Sequence, residues 1–188
     1  MQQVEVVVIG AGQAGLAVSH ELSGLGVDHV VLERGQIGES WRNRWDSFCL
    51  VTPNWSVRLP GCPYDGRDPH GFMPRDEIVA YMQRYAGSFG SPVQEHVQIN
   101  SVTARDGEGF RVETTSRSYN ARSLVLATGA YQRPHRPPKQ MACLRTCFGS
   151  TSTTTAIRRH CLQVVYSSLG VDSQDAKSRR SCTHPGRK

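Results

Sequence analysis

Gly10, Gly12, Gly15 and Glu33 are the residues of this chain whose types and spacing most clearly imply chemistry. The glycines stand in the run Gly10-Ala11-Gly12-Gln13-Ala14-Gly15, and Glu33 follows 18 residues after the last of them. Such a set suits a dinucleotide. Gly10 permits a tight turn, Gly12 lets a pyrophosphate approach the backbone, and Gly15 lets a helix lie close to a strand. The helix start offers N–H groups and the positive end of its dipole to the phosphates. Glu33 can accept hydrogen bonds from ribose hydroxyls, which fits FAD or NAD and disfavours a 2′-phosphate.

These residues need elements to hold them, and the flanking sequence supplies each in order. Residues 4–9 form a nearly continuous β-branched run, expected as a strand buried on both faces. Leu16, Val18 and Leu22 fall at helical spacing, and Gly24 and Gly26 end that helix. Residues 29–32 read as a second strand with Glu33 at its end. Strand, glycine turn, helix, strand and acid in succession carry far more weight than the glycines alone. They predict an α/β fold, a Rossmann-type domain with a parallel sheet that binds FAD or NAD.

Further along, residues 35–73 are rich in Gly, Pro, Asp and aromatics and hold Trp41, Trp45 and Trp55. That composition reads as a long excursion over a ligand, with the tryptophans packing its loops. Pro74 opens a helix with Asp76 and Glu77 in its first turn. Ile78, Tyr81, Met82, Tyr85 and Phe89 mark its apolar, core-facing stripe. Residues 93–115 read as a small β insertion with a turn at 105–109, and 123–127 as another buried strand leading to Thr128 and Gly129.

Charge argues against a nucleic-acid partner. The net charge is +6, yet residues 1–141 carry 14 basic and 14 acidic side chains, whereas 142–188 carry 8 and 2. No stretch is apolar and long enough to cross a membrane, and the chain starts directly on a strand, so neither a membrane partner nor a signal peptide is expected. The cysteines at 49, 62, 143, 147, 161 and 182 form no CxxC pair, so reduced thiols in the cytoplasm and no metal site are expected. His20, His29, His70 and His96 are scattered and receive no catalytic role.

Taken together, residues 4–141 resemble the N-terminal, FAD-binding part of flavin-dependent monooxygenases of the flavin-containing and Baeyer–Villiger types. The resemblance rests on the glycine run at 10–15, Leu-Glu-Arg at 32–34, "GESWRNRWDSFCLVTP" at 38–53, "MPRDEIVAYMQRYAGSF" at 73–89 and "LVLATGAYQRPHRPP" at 124–138. It implies FAD bound by Gly10, Gly12, Gln13, Ala14, Gly15, Glu33, Arg34, Ser40, Trp41, Arg42, Val97, Thr128 and Gly129. In that assignment Glu33 meets the adenosine ribose and Arg34 lies beside adenine. Ser40, Trp41 and Arg42 approach the flavin, Val97 meets adenine through its backbone, and Thr128 and Gly129 close over the cofactor. It also implies NAD(P)H as reductant, O2 as oxidant and a small-molecule substrate. The flavin carries the hard chemistry, and the protein orients it and excludes water.

Rival classes fit less well. A disulfide reductase on the same fold wants a close cysteine pair such as CxxxxC, and Cys49 and Cys62 are too far apart. A short-chain dehydrogenase wants Tyr-x-x-x-Lys, which no tyrosine here satisfies. An FAD-dependent pyridine nucleotide oxidoreductase that is not an oxygenase stays open, and so does a non-catalytic FAD- or NAD-binding remnant because of residues 142–188. That segment has no period of 2 or 3.6, and no second GxGxxG in frame for NADPH. Its other reading frame permits a strand and a second glycine fingerprint over 163–175. The expectation is therefore an FAD-binding domain over 1–141, incomplete by family standards, followed by a frameshifted, disordered basic tail over 142–188. Substrate, oxygenation type and oligomeric state stay open at this stage.

Overall fold

In the computed structural model the described residues are 1–129 except 106 and 108. The proline-rich run after 130, the four cysteines beyond 140 and the tail expected over 142–188 lie outside them.

The core of the fold is a strand flanked on both sides. Strand β1 (Gln2–Ile9) pairs in parallel with β2 (His29–Leu32) on one edge and with β8 (Ser118–Leu126) on the other. Its β-branched centre is buried as anticipated, with Val7 and Val8 fully enclosed. The short strand β5 (Val93–Gln94) extends the parallel part beyond β2. Beyond β8 lie β7 (Gly109–Thr114) and β6 (Ile99–Arg105), both antiparallel, so the sheet order is β5-β2-β1-β8-β7-β6. The β insertion of the sequence reading is thus an extension of the main sheet. The chain leaves β1 toward β2 and returns on the opposite side as β8. The carboxyl end of β1 therefore sits at a topological switch point, where open α/β sheets bind ligands.

Two helices cover the sheet. Helix α1 (Gln13–Gly24) stops where Gly24 and Gly26 were expected to stop it, and Gly26 adopts φ +67°. Leu16 is fully buried, and Ser19 beside it bonds His29 Nε2 at 2.8 Å and Ser91 Oγ at 2.7 Å. His29 Nδ1 lies 2.9 Å from the Val27 carbonyl. As that carbonyl can only accept, Nδ1 carries the proton and Nε2 accepts from Ser19. His29 is therefore a structural link between α1 and β2. Helix α3 (Arg75–Ser88) starts after Pro74 and buries Ile78, Tyr81, Met82 and Tyr85 of the stripe predicted for it, while Phe89 is its C-cap and is half-buried. Between them lies a single turn, α2 (Glu39–Arg42).

The excursion read over 35–73 contains α2, and after it has little regular structure: a 3-10 turn at Asn54–Ser56 and a two-stranded hairpin of β3 (Arg58–Leu59) and β4 (Cys62–Pro63). Trp41 packs on the core, Trp45 packs on Phe48 while staying 41% exposed, and Trp55 is 51% exposed.

One expectation fails in its detail. The strand over 123–127 was expected to be buried, yet the buried part of β8 is Tyr119, Asn120 and Ala121, and Leu126 is 69% exposed. The reason is pairing. β7 covers β8 only from Ser118 to Ala121, so among the described residues the rest of β8 has a neighbour, β1, on one edge alone.

Candidate cofactor-binding site

The site grows from the end of β1. Gly10 has φ +105°, and a Cβ there would lie 2.6 Å from the Ala127 carbonyl oxygen. Only glycine meets both demands. At Gly15 a Cβ would come within 1.8 Å of the Gly10 carbonyl oxygen, so α1 can reach the turn only because the side chain is absent. Gly12 differs: nothing lies within 4 Å of its would-be Cβ. Its backbone is open to approach, as a pyrophosphate would require. Gly12 is also the N-cap of α1, and no side chain caps that end. Gln13, Ala14 and Gly15 therefore open the helix in the manner of an anion-binding terminus.

Glu33 stands opposite. Its Oε2 accepts from Ala11 N–H at 2.8 Å and its Oε1 from Gly35 N–H at 2.8 Å. Each carboxylate oxygen keeps a second lone pair, so ribose hydroxyls could be accepted as well. Glu33 thus has a first duty that the sequence did not disclose: it ties the glycine turn to the end of β2. Val97 is similarly engaged, since its N–H donates to the Glu33 carbonyl at 2.8 Å. A backbone contact from Val97 to adenine then falls to its carbonyl.

A cleft of about 190 Å³ joins Ile9, Gly10, Leu32, Glu33, Arg34, Val97, Gln98, Ile99 and Thr128. It gathers five residues of the predicted set, Gly10, Glu33, Arg34, Val97 and Thr128, from four separate parts of the chain. Ile9, Leu32, Gln98 and Ile99 were missed, because strand ends and a polar loop residue carry no chemical signature of their own. Gly129 follows Thr128 with φ +76° and open space around it.

The flavin-side set, Ser40, Trp41 and Arg42, sits on α2 and is not part of this cleft. Ser40 is exposed, and Trp41 packs against the core and beside Phe48, with ring centroids 5.7 Å apart. Arg42 donates through Nε to the Ile37 carbonyl at 3.2 Å and lines another, larger cleft of about 350 Å³ with Arg75, Asp76, Val79, Ala80 and Gln83. Size does not make that cleft the cofactor site. It is away from the glycine turn, and Arg75 is paired with Asp46 and Asp76, both at 2.8 Å. Those carboxylates hold the Arg75 guanidinium above its ordinary value, and Arg75 holds Asp76 below the usual carboxylate range.

Cys49 and Cys62 are not in a disulfide, and the described residues contain no cluster of His, Cys, Asp or Glu able to hold a metal. No helix among them is long and apolar enough to cross a membrane.

Comparison with known proteins agrees with this geometry. Residues 7–153 match the family described as pyridine nucleotide-disulphide oxidoreductase. A CzcO-like uncharacterized oxidoreductase of Geobacillus kaustophilus is 40% identical over 136 residues, covering 72% of this chain and 38% of the relative. The rice indole-3-pyruvate monooxygenase YUCCA4 is 36% identical over 149 residues, covering 70% of this chain and 34% of that protein. Among solved structures, the flavin-containing monooxygenase of Stenotrophomonas maltophilia superposes with a TM-score of 0.66 at 31% identity, covering 73% of this chain and 42% of that one. The chain spans about two fifths of the length of these relatives.

Proposed function

The chain belongs to the pyridine nucleotide-disulphide oxidoreductase family, and we propose that its folded part is the FAD-binding portion of an NAD(P)H-dependent flavoprotein monooxygenase. The observation that carries this reading is the glycine turn at the switch point of the sheet: an uncapped helix start, open space at Gly12, and the Glu33 carboxylate bonded to Ala11 N–H within that turn. The relatedness to flavin monooxygenases over the same residues supports the choice of FAD.

In this reading the α1 start and Gly12 take the pyrophosphate, and Glu33 accepts from the adenosine ribose. Arg34 and the Val97 carbonyl border adenine, α2 presents Ser40, Trp41 and Arg42 toward the flavin, and Thr128 and Gly129 close the groove. Bound FAD would supply electron transfer from nicotinamide to O2. The protein's own part is to hold it in register and keep water away. The substrate of such an enzyme is a small molecule, and its contacts come from beyond these residues.

Titrating the purified chain with FAD and with NAD tests the reading: FAD is expected to bind more tightly, and tighter NAD binding would overturn it. The 188 residues contain one in-frame glycine fingerprint, at 10–15, and 142–188 contain none. Positioning a nicotinamide against the flavin is worth up to roughly 7–11 kcal/mol of barrier. The polypeptide by itself should therefore reduce bound flavin slowly. Rapid, saturable anaerobic reduction by NADPH would assign a working role to 142–188 and reject the frameshift reading.

A further inference from the structure

Between Glu33 and α2 the chain makes a turn in which three consecutive backbone N–H groups each donate to a different carboxylate. Gly35 N–H bonds Glu33 at 2.8 Å, Gln36 N–H bonds Glu39 at 3.1 Å, and Ile37 N–H bonds Glu95 at 2.7 Å. Glu33 and Glu39 are local. Glu95 comes from 58 residues away, in the segment between β5 and β6. That segment runs alongside the turn: Glu33 N–H donates to the Gln94 carbonyl, His96 N–H to the Gly35 carbonyl and Val97 N–H to the Glu33 carbonyl. His96, next to Glu95, has φ +59°, the left-handed region that non-glycine residues seldom occupy. The backbone there is held by its partners in an uncommon form, and that form brings the Glu95 carboxylate to Ile37. The turn is also tied to the glycine loop, since Gly38 N–H donates to the Ala11 carbonyl at 3.1 Å. Downstream of the Glu95 contact, Arg42 Nε donates to the carbonyl of the same Ile37. Ile37 is thus held at both ends of its backbone, once by Glu95 and once by the arginine of α2.

We infer that Glu95 is a positioning residue of the cofactor groove: by accepting from Ile37 N–H it locks the turn bearing Ser40, Trp41 and Arg42 to the segment bearing Val97, so that the flavin end and the adenine end are set at a fixed separation. The inference rests on the FAD reading given above. Its chemistry is that of an acceptor at one point in space. A side chain of the same length with a neutral oxygen should serve, and a truncated one should not.

The test uses the full chain with Glu95→Ala and Glu95→Gln, both at an exposed position whose change should leave folding intact. Amide hydrogen exchange over 35–42 gives a readout without cofactor, and titrations with FAD and with ADP give a second. ADP reaches the glycine loop and Glu33 but carries no flavin. In Glu95→Ala, exchange at Ile37 should rise, FAD should bind about fivefold more weakly, in line with one lost hydrogen bond, and ADP should bind unchanged. Glu95→Gln should restore both exchange and FAD affinity. Equal FAD affinity in wild type and Glu95→Ala would overturn the inference, as would equal losses for FAD and ADP. A Gln variant that behaves like the Ala variant would overturn it too. Failure of the wild-type chain to bind FAD at all is a different result: it would remove the reading of the groove and this inference with it.

Discussion

The two stretches that flank α2 are held in different ways. Before it, the 33–38 turn is fixed by backbone groups gripped one by one, each by a carboxylate or a carbonyl. After it, the 44–73 part of the excursion is held by backbone bonds to itself, such as Leu50 N–H to the Met73 carbonyl, Asn54 N–H to the Gly71 carbonyl and Trp55 N–H to the Pro69 carbonyl, and by packing. Phe48 meets Trp41 and Trp45, with the Arg44 guanidinium over the Trp41 and Phe48 rings, and Arg75 Nη1 donates to the Arg44 carbonyl at 3.1 Å. The Tyr81 hydroxyl accepts from Leu59 N–H and donates to the Cys62 carbonyl, clamping both strands of the β3–β4 hairpin. Directional bonds fix where backbone atoms lie, and that is what a groove for phosphates and ribose needs. Bonds of a segment to itself, with apolar contact beneath, suit a stretch that only has to stay folded over a core. The excursion still exposes Trp45, Val51, Trp55 and Phe72.

The sharpest way to separate the two regimes lies inside the glycine turn. Gly15→Ala places a Cβ 1.8 Å from the Gly10 carbonyl oxygen, where backbone rather than a flexible side chain must yield. We expect a loss of about 3 kcal/mol or more in chemical denaturation, or no folded protein at all. Gly12→Ala meets no atom within 4 Å, and φ is −84° there. Its stability should stay within about 0.5 kcal/mol of wild type while FAD binding collapses. Equal destabilisation by both would mean that the turn is held for folding alone.

In the excursion, Tyr81→Phe keeps the ring in the core and removes the clamp. The cost should be about 1–2 kcal/mol, with faster amide exchange confined to the hairpin and FAD affinity unchanged. A parallel loss of FAD affinity would join the two regions that the hydrogen-bond pattern keeps apart.

The same hydroxyl makes a pH prediction. Burial, and after it the contact with Cys62, pushes the Tyr81 phenol up to about 12, and burial pushes Tyr85 up to about 12. A phenol whose value is raised by folding favours the folded state with its proton on. That contribution is complete below about pH 10, the value of an unfolded tyrosine, and is lost as pH rises toward about 12. Tyrosinate absorbance should therefore appear in two stages, with Tyr81 and Tyr85 titrating late and together with unfolding. A single early stage would show that the helix face is more open to water than its packing implies.

How much of this was readable beforehand follows the same division. The glycines, Glu33 and the apolar stripe of α3 are legible because each satisfies a demand local to its own element: a turn, a close approach, a period of 3.6. The clefts were only half legible. Gly10, Glu33, Arg34, Val97 and Thr128 converge as the resemblance implied, but Gln98 and Ile99 enter because β6 leaves the loop beside Val97, which no residue type announces. Glu39 and Glu95 were invisible for a related reason. A carboxylate that caps a backbone N–H 58 residues away looks, in sequence, like any surface acid. Likewise 123–127 reads as buried because the apolar run from Leu124 to Ala127 is continuous. Exposure of Leu126 depends on how far β7 extends along it, which is a property of pairing and not of composition.

The smallest expected effect concerns the start of α3, where excursion and helix meet. Arg75 bonds Asp76 and Asp46 at once, and its partnership keeps the Asp76 carboxyl below the ordinary carboxylate range. A carboxylate depressed by folding stabilises the folded state at pH above its unfolded value, and the contribution fades as pH falls through the folded one. Asp76 also lies in the first turn of α3, where its charge complements the helix dipole. Both contributions are exposed to water, and such pairs are worth little and are screened by salt. Asp76→Asn should therefore lower the melting temperature by less than Tyr81→Phe does, only at pH above the carboxylate range, and the difference should shrink as salt is added. If the loss instead exceeds that of Tyr81→Phe and persists in high salt, the Arg75 cluster is fixing the return of the excursion as firmly as the carboxylates fix the 33–38 turn, and the two regimes on either side of α2 are one.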